Sequence, residues 1–146
     1  CRVSAPSKRF TMQAAVLVGS QITKPQNYVD LMRGSTAHLA IEFATNTTTV
    51  SPVVIPGKTP CLSCRFKPET IQDADWPVIT AQLQMREDRL DDAQSKLFAC
   101  GAALGLLLEF IDDPRAAKFQ GLQLNHETGE IVATSWEADP ACECSR

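Results

Sequence analysis

Four of the six cysteines occur as two close pairs, and this arrangement constrains the fold more than any other feature of the sequence. The pairs are Cys61-x-x-Cys64 and Cys142-x-Cys144, and they lie far apart along the chain. Thiolate pairs at short spacing are typical ligands of a structural zinc ion, whose four-coordinate sphere leaves no position open for a substrate. The spacing therefore predicts that folding brings the pairs together, with Cys61, Cys64, Cys142 and Cys144 as the zinc ligands.

Two other uses of these cysteines remain open from the sequence. A redox pair of the thioredoxin type would open a helix, whereas Cys61 and Cys64 lie between the turn-rich segments 57–60 and 65–68. Disulfides in an exported protein, or unpaired thiols, are also compatible with the spacing. Positive side chains near a zinc-thiolate centre would offset its negative charge, and Lys58, Arg65 and Arg146 flank the pairs.

Composition limits the class of protein. The 146 residues are 44% hydrophobic and 21% charged, with a formal net charge of -3, so we expect one compact folded domain. Lys and Arg form no run, which disfavours a nucleic-acid partner. The longest apolar run, 97–108, is shorter than the roughly 18 residues that a membrane span needs. No signal-peptide pattern is present, and we therefore expect a cytoplasmic protein with no membrane partner.

Hydrophobic patterning predicts an α/β domain. A strand over 12–18, a helix over 25–33 and a strand over 37–43 form a βαβ unit, for which a parallel, right-handed crossover is expected. A further strand over 47–55 contains Pro52, which indicates an edge strand or a bulge. Residues 1–10 are predicted to be irregular.

The second half predicts two helices and a hairpin. Asp75 is a candidate cap for a helix that contains Ile79 and Leu83. The segment 92–111 predicts a helix whose centre is apolar on all sides, as expected for a buried helix. In it Cys100 is predicted to be a small core residue, and Gly101 and Gly105 allow close packing. Strands over 119–125 and 130–137 are predicted to form a hairpin that turns at Gly129.

No residue of the sequence is assigned to catalysis or to cofactor binding. The segment Gly57-Lys58-Thr59 ends like a phosphate-binding loop, but Pro52 stands where that loop requires glycine. His38 falls in a predicted strand, where a packed or hydrogen-bonded histidine is expected. His126 is predicted to be a turn residue.

Several sequence motifs resemble those of the ThiF/MoeB-like adenylating family, relatives of the ubiquitin-activating enzymes. These are Val53-Val54-Ile55-Pro56-Gly57-Lys58-Thr59-Pro60-Cys61-Leu62-Ser63-Cys64 at the first pair and Asp139-Pro140-Ala141-Cys142 at the second. The helix 100–110 and the hairpin 126–130 are also similar to family elements. The sequence of residues 73–83 resembles that of an actinobacterial branch of this family, which is described as cyclodehydratase-associated or precursor-peptide-binding.

The resemblance implies that residues 11–146 form a partial Rossmann-like three-layer domain, which corresponds to the C-terminal, zinc-bearing half of the family's domain. Its zinc-binding cysteine pairs would lie at 61–64 and 142–144. The family's ATP-binding half would precede residue 11, so ATP is a cofactor only if that half exists. The acid that the family places after the strand near Val18 is absent, and between Cys64 and Cys100 there is no reactive cysteine of the kind that sulfur-carrying members have.

The resemblance therefore favours a non-catalytic domain that binds a precursor peptide or partner protein of an azole-cyclodehydratase-type system. The alternative is half of an ATP-dependent adenylyltransferase that activates a carboxylate, so enzymatic activity is left open. A homodimer through the apolar helix is also expected, because an incomplete sheet would expose apolar surface.

Overall fold

One five-stranded mixed sheet organises the chain. The computed structural model describes residues 13–66, 73–85, 92–115 and 119–145, so the predicted irregular segment 1–10 and Arg146 lie outside the described residues. The elements in chain order are β1 (Ala14–Ser20), α1 (Pro25–Arg33), β2 (Ala37–Phe43), β3 (Thr47–Val50), α2 (Trp76–Met85), α3 (Ala93–Asp112), β4 (Gly121–Asn125) and β5 (Ile131–Thr134).

The βαβ unit is present at one edge of the sheet. Strands β1 and β2 pair in parallel, with Ala14 opposite Ala37, and α1 connects them. Helix α1 begins with Pro25, whose missing N–H costs nothing in the first turn, and ends before Gly34, whose N–H bonds to the carbonyl of Asp30. The predicted helix 25–33 and strand 37–43 have the bounds that the structure shows.

The rest of the sheet is antiparallel. Strands follow one another in the order β1-β2-β3-β4-β5, and every pair after β1·β2 is antiparallel. The turn between β2 and β3 covers only Ala44 to Asn46, which is too short for a crossover to a parallel strand. The α/β class is confirmed, whereas the Rossmann-like three-layer arrangement is not.

Strand β3 is shorter than predicted. It ends at Val50 rather than at Ile55, because Pro52 has no N–H for a ladder hydrogen bond. The chain returns to the sheet at Val54, which exchanges two backbone hydrogen bonds with His38 of β2. The predicted interruption at Pro52 is thus present, and the segment after it carries Cys61 away from the sheet.

Side chains from the two faces of β2 enter separate cores. Leu39 and Ile41 pack with Ala99 and Ala103 of α3, whereas Ala40 packs in a second cluster with Tyr28 of α1 and the cysteines. Alternate residues of a strand point to opposite faces, so α3 and the cysteine region cover opposite sides of the sheet.

Helix α3 is not fully buried, contrary to the prediction from its apolar composition. Ala99 and Ala103 are buried, but Leu97 is 75% exposed and Cys100 is also exposed. A helix meets a sheet along one stripe only, so composition that is apolar all round leaves the far side uncovered here. The prediction that Cys100 is a core residue was wrong for the same reason. By length and composition alone α3 could also cross a membrane. A single helix of this kind is weak evidence for a membrane protein.

Candidate metal centre

The two cysteine pairs lie together in the folded chain. The Cys61 Sγ atom is 3.8 Å from that of Cys64 and 3.7 Å from that of Cys142, and the Cys64 and Cys144 Sγ atoms are 3.5 Å apart. All four Sγ atoms lie within 4.8 Å of one another. A tetrahedral zinc ion with Zn–S bonds of about 2.3 Å separates its sulfurs by about 3.8 Å. The cluster therefore has the donor set and the dimensions of a four-thiolate metal site.

The same distances separate this cluster from a disulfide. Bonded sulfurs are about 2.0 Å apart, and none of the four cysteines forms a disulfide in the structure. Of the alternatives left open by the sequence, the geometry favours a metal site over disulfides. It identifies a possible ion site and does not by itself distinguish zinc from another thiophilic metal.

A tight turn presents the first pair. Gly57 adopts φ 74°, a left-handed conformation that glycine takes without strain. The Thr59 hydroxyl accepts a hydrogen bond from the Ile55 N–H and closes this turn. Cys64, in the 3-10 segment Leu62–Phe66, donates its N–H to the carbonyl of Cys61. Residues 57–59 are therefore part of the support of the cysteine cluster.

Asp139 shapes the second pair. Its carboxylate accepts the Ala141 N–H and its carbonyl accepts the Cys142 N–H, which folds the chain into a turn before the cysteines. Trp136 links this segment to the first pair, because its indole N–H donates to the carbonyl of Cys61 at 3.0 Å. This long-range bond was not predicted from the sequence, which contains no local signal for it.

The two pairs differ in exposure, and one thiol of each pair has a raised pKa. Cys61 and Cys64 are buried, whereas Cys142 and Cys144 are half-buried. Burial raises the pKa of Cys61 to about 12 and also raises the pKa of Cys142. Without a metal these thiols hold their protons, so a bound cation must displace them and its affinity increases with pH.

A cleft of about 600 Å³ opens beside the cysteines. Met32 of α1, Gly57 and Cys144 contribute to its lining. The Tyr28 hydroxyl lies 2.7 Å from the Ser63 hydroxyl and joins α1 to the first pair. Helix α1 therefore forms one wall of the cleft and is fixed to the turn between Cys61 and Cys64.

An ion pair connects the first cysteine pair to the end of β2. Arg65 bonds to the buried carboxylate of Glu42, which also accepts the Thr23 N–H at 2.7 Å. Arg65 was expected to offset the charge of the metal centre; it instead pairs with Glu42. Lys58 is exposed. Because Glu42 is distant in sequence from Arg65, only the fold reveals this pair.

Neither histidine belongs to the group of described side chains that could hold an ion. His38 is fully buried, and its Nδ1 lies 2.9 Å from the Thr36 carbonyl, as predicted for a packed histidine. His126 is in the hairpin turn as predicted, but its Nε2 also lies 2.8 Å from the Thr48 hydroxyl and 3.1 Å from the Ser95 hydroxyl. These contacts join the turn to β3 and to the first turn of α3.

No protein-family model and no curated protein sequence matches the chain. Solved structures are similar to it. Escherichia coli MccB with succinimide is 15% identical, with a TM-score of 0.60 over 91% of this chain and 39% of MccB. MccB with MccA-N7isoASN is 16% identical, with a TM-score of 0.61 over 92% of this chain and 41% of MccB. A heterocyclase in complex with substrate and cofactor is 14% identical, with a TM-score of 0.67 over 91% of this chain and 20% of the heterocyclase.

The chain thus spans about two fifths of MccB and one fifth of the heterocyclase. At these identities the likeness concerns the fold. The similarity includes most of the chain, and the TM-scores are well above those of unrelated folds. The predicted resemblance to ThiF/MoeB-like adenylating and cyclodehydratase-associated enzymes is confirmed as a structural similarity to MccB and to the heterocyclase.

Proposed function

We propose that the chain is a zinc-binding, non-catalytic domain of a peptide-modifying system, and that it binds a precursor peptide or a partner protein. The observation that carries the proposal is the shared fold. MccB has been solved with MccA-N7isoASN and with MccA, and the heterocyclase with its substrate. Both neighbours are thus structures with a bound peptide or substrate, and a related role in an azole-forming pathway is the extension that we propose.

The cysteine cluster supports the zinc part of this proposal. Four thiolates close the coordination sphere of zinc, so the ion would hold structure and would not activate water. In this role the ion ties the segment that starts at Cys61 to the one that ends at Cys144, and it fixes the wall of the adjacent cleft. Thiol ligands need a reducing compartment, which is why we assign the protein to the cytoplasm.

The absence of phosphate-binding chemistry in the sequence supports a non-catalytic role. No glycine-rich phosphate loop occurs, and the end of β1 with the residue after it reads Gly19-Ser20-Gln21, without the acid that the adenylating family places there. Instead, Gln21 is nearly buried and donates its N–H to the Phe43 carbonyl at 2.8 Å. Its side-chain amide donates to Thr45. These residues support the ends of β1 and β2.

The alternative is that the chain is the C-terminal half of an ATP-dependent adenylyltransferase that activates a peptide or protein carboxylate. One observation favours it: MccB with ATP has the same fold over 88% of this chain. In that case ATP would be bound by residues outside this sequence. The two proposals share the zinc site and the peptide partner and differ in catalysis.

Peptide binding and ATP–pyrophosphate exchange separate the proposals. The zinc-loaded chain is titrated with fluorescently labelled MccA as the first probe, followed by precursor peptides of azole-forming systems. A scrambled peptide of equal charge is the control. Binding without exchange, both by this chain and by any longer protein of its gene, supports the first proposal, and exchange that depends on the peptide supports the alternative. The absence of both binding and exchange across the series would contradict both.

A further inference from the structure

Strand β5 forms one edge of the sheet. It pairs with β4 on one side, and among the residues that the structure describes no strand pairs with its other side. Ile131 is 55% exposed and Val132 is 40% exposed, and the two side chains point to opposite faces of the sheet. Apart from its shortness, β5 has none of the features that protect an edge strand, since residues 131–134 include no charged residue and no proline. This edge is therefore open to another strand.

The hydrogen-bond pattern of β4 and β5 shows which backbone groups face outward. The Asn125 N–H donates to the Glu130 carbonyl at 2.9 Å, so these two residues form a hydrogen-bonded pair of the antiparallel ladder. Such pairs recur at every second residue, and Val132 therefore directs its backbone groups to β4. Ile131 and Ala133 direct theirs to the open side. Their N–H donors and carbonyl acceptors are thus available to an extended chain.

An apolar groove borders the same edge. It has a volume of about 370 Å³ and lies between Gly101 and Gly105 of α3 and Ile131 of β5. A Cβ atom added at either glycine would meet no other atom within 4 Å, so the space above the glycines is open. A strand beside β5 would place every second side chain on the α3 side of the sheet, next to Ile131. Apolar side chains at these alternate positions can enter the groove.

The surroundings of β5 are acidic. Residues 119–145 contain five acidic residues and neither lysine nor arginine. Glu127 and Glu130 precede β5 and Glu137 follows it, and all three are exposed. Acidic groups at both ends of an open strand attract a segment with basic residues, and they repel a second β5, whose ends have the same charge. Charge therefore favours a basic peptide over a second copy of this chain.

We infer that an extended peptide segment, with apolar residues at alternate positions and basic residues at its ends, binds as an added strand beside β5. The backbone groups of Ile131 and Ala133 supply hydrogen bonds, the groove selects apolar side chains, and the acidic ends of β5 select positive charge. This inference rests on the proposed function, because it gives the peptide-binding activity a location and a chemical class of ligand.

The backbone contact is tested with a synthetic probe. The zinc-loaded chain is titrated with the labelled peptide Lys-Thr-Leu-Thr-Leu-Thr-Lys. Ala133→Pro removes an outward N–H and keeps the bonds to β4, because proline is tolerated where the N–H of an edge strand faces solvent. Binding should weaken about tenfold, the loss expected for one hydrogen bond. Ala133→Thr keeps the N–H and is the matched control, with unchanged affinity.

Two outcomes of this titration would overturn the inference. One is that the parent chain does not bind the probe. The other is that Ala133→Pro, with the circular dichroism spectrum of the parent, binds the probe as tightly as the parent does.

Gly101→Leu tests the groove without a change in β5. A side chain at position 101 has open space in the chain and improves helix propensity, so the fold should keep its stability. The new side chain fills the groove, and binding of the probe should weaken about tenfold, as expected when a leucine loses its apolar pocket. A probe with alanine in place of leucine should bind Gly101→Leu and the parent equally. Unchanged affinity of the leucine probe for Gly101→Leu would contradict the inferred site.

A charge variant tests the acidic ends of β5. Glu130→Gln should weaken binding of the probe and make it less sensitive to salt, because screening acts on exposed charges. Asp30→Asn removes an equal charge from an exposed position on α1, at the opposite edge of the sheet, and is the control. If both variants weakened binding equally, the attraction would belong to the net charge of the chain and not to β5.

The same variants separate this inference from the proposed function. Precursor peptides that bind the parent and Ala133→Pro equally would leave the proposed function in place and overturn the inference. Probe binding that depends on β5, without binding of any precursor peptide, would support the inference and contradict the proposed function. A parent dimer that Ala133→Pro converts to a monomer in sedimentation would show that a second copy occupies the edge, and it would overturn the inference.

Discussion

At the scale of single residues, His38 shows how burial sets acidity in the sheet. Its ring stacks on Tyr28, with 6.4 Å between the ring centroids. The Nδ1–H donates to the Thr36 carbonyl, whereas Nε2 is buried without a hydrogen-bond partner among the residues that the structure describes. Desolvation lowers the pKa of His38 below its ordinary value of 6.5, so the folded chain favours the neutral ring.

The stability of the protein should therefore fall in acid through His38. A pKa that is lower in the folded state contributes stability above pH 6.5, and this stability is lost as the pH falls below the unfolded value. His38→Phe keeps a flat ring but cannot be protonated. Urea unfolding between about pH 5 and 8 should show a smaller loss of stability in acid for His38→Phe than for the parent. Equal pH dependence in the two proteins would contradict the assignment.

Arg65 and Glu42 form the second testable contact at this scale. The Glu42 side chain is 6% exposed and the Arg65 side chain 27%, so removal of the arginine leaves a buried carboxylate without its cation. Arg65→Ala should lower the free energy of unfolding by about 3 kcal/mol. The double variant Glu42→Gln/Arg65→Met should recover part of this loss in urea unfolding. If Arg65→Ala is as stable as the parent, the pair contributes nothing to the fold.

At the scale of secondary structure, β3 and β4 meet where no side chain can fit. A Cβ atom at Gly121 would lie 2.3 Å from the Val50 carbonyl oxygen and 2.8 Å from the Pro52 nitrogen. Both contacts are with backbone atoms, which cannot move aside without breaking the register of β3 and β4. Gly121→Ala should therefore lower the free energy of unfolding by more than about 2 kcal/mol. Gly129→Ala, which faces open space at φ 71°, is the control and should cost less.

Elements whose ends are marked by capping or helix-breaking residues were predictable from the sequence. Helix α1 has Pro25 at its start and Gly34 after its end, and both bounds follow from these residues. Asp92 was expected to begin α3, and its carboxylate accepts the N–H groups of Gln94 and Ser95. The burial of α3 was not predictable, because composition does not tell which side of an apolar helix meets a partner.

The candidate metal site also has a part that was predictable from the sequence and a part that was not. The cysteine spacing predicted which four thiols come together, since a metal requires a fixed number of ligands of one kind. The supporting contacts depend on residues distant in sequence, such as Trp136 with Cys61 and Tyr28 with Ser63. No periodicity or spacing encodes such pairs, and they become visible only when the sheet is assembled.

At the scale of the whole molecule, the sheet separates two surfaces of different chemistry. The cysteine cluster and its cleft lie on one face, and α3 lies on the other. Strand β2 contributes alternate residues to both cores, so it is the shared support of the two surfaces. Variants of the cysteine cluster and variants of α3 can therefore be tested separately.

Metal binding should stabilise the chain as a whole, because the ion would join segments that lie at its middle and at its end. Zinc at about 100 times its dissociation constant is expected to raise the free energy of unfolding by about 2.7 kcal/mol relative to chelated protein. The gain should increase with pH, because burial raises the pKa of Cys61 to about 12 and zinc must displace its proton. Urea unfolding followed by tryptophan fluorescence is a suitable measurement, since Trp136 bonds to Cys61.

Two serine variants test whether this stabilisation comes from the cluster. Cys142→Ser removes one ligand and should abolish most of the response to zinc, with less than one ion bound per chain by mass spectrometry. Cys100→Ser removes an exposed thiol outside the cluster and should leave the response unchanged. If zinc stabilised the Cys142→Ser variant as much as the parent, the four cysteines would not be the site of binding. If neither chelation nor zinc altered the unfolding of the parent, the structural role of the ion would be wrong.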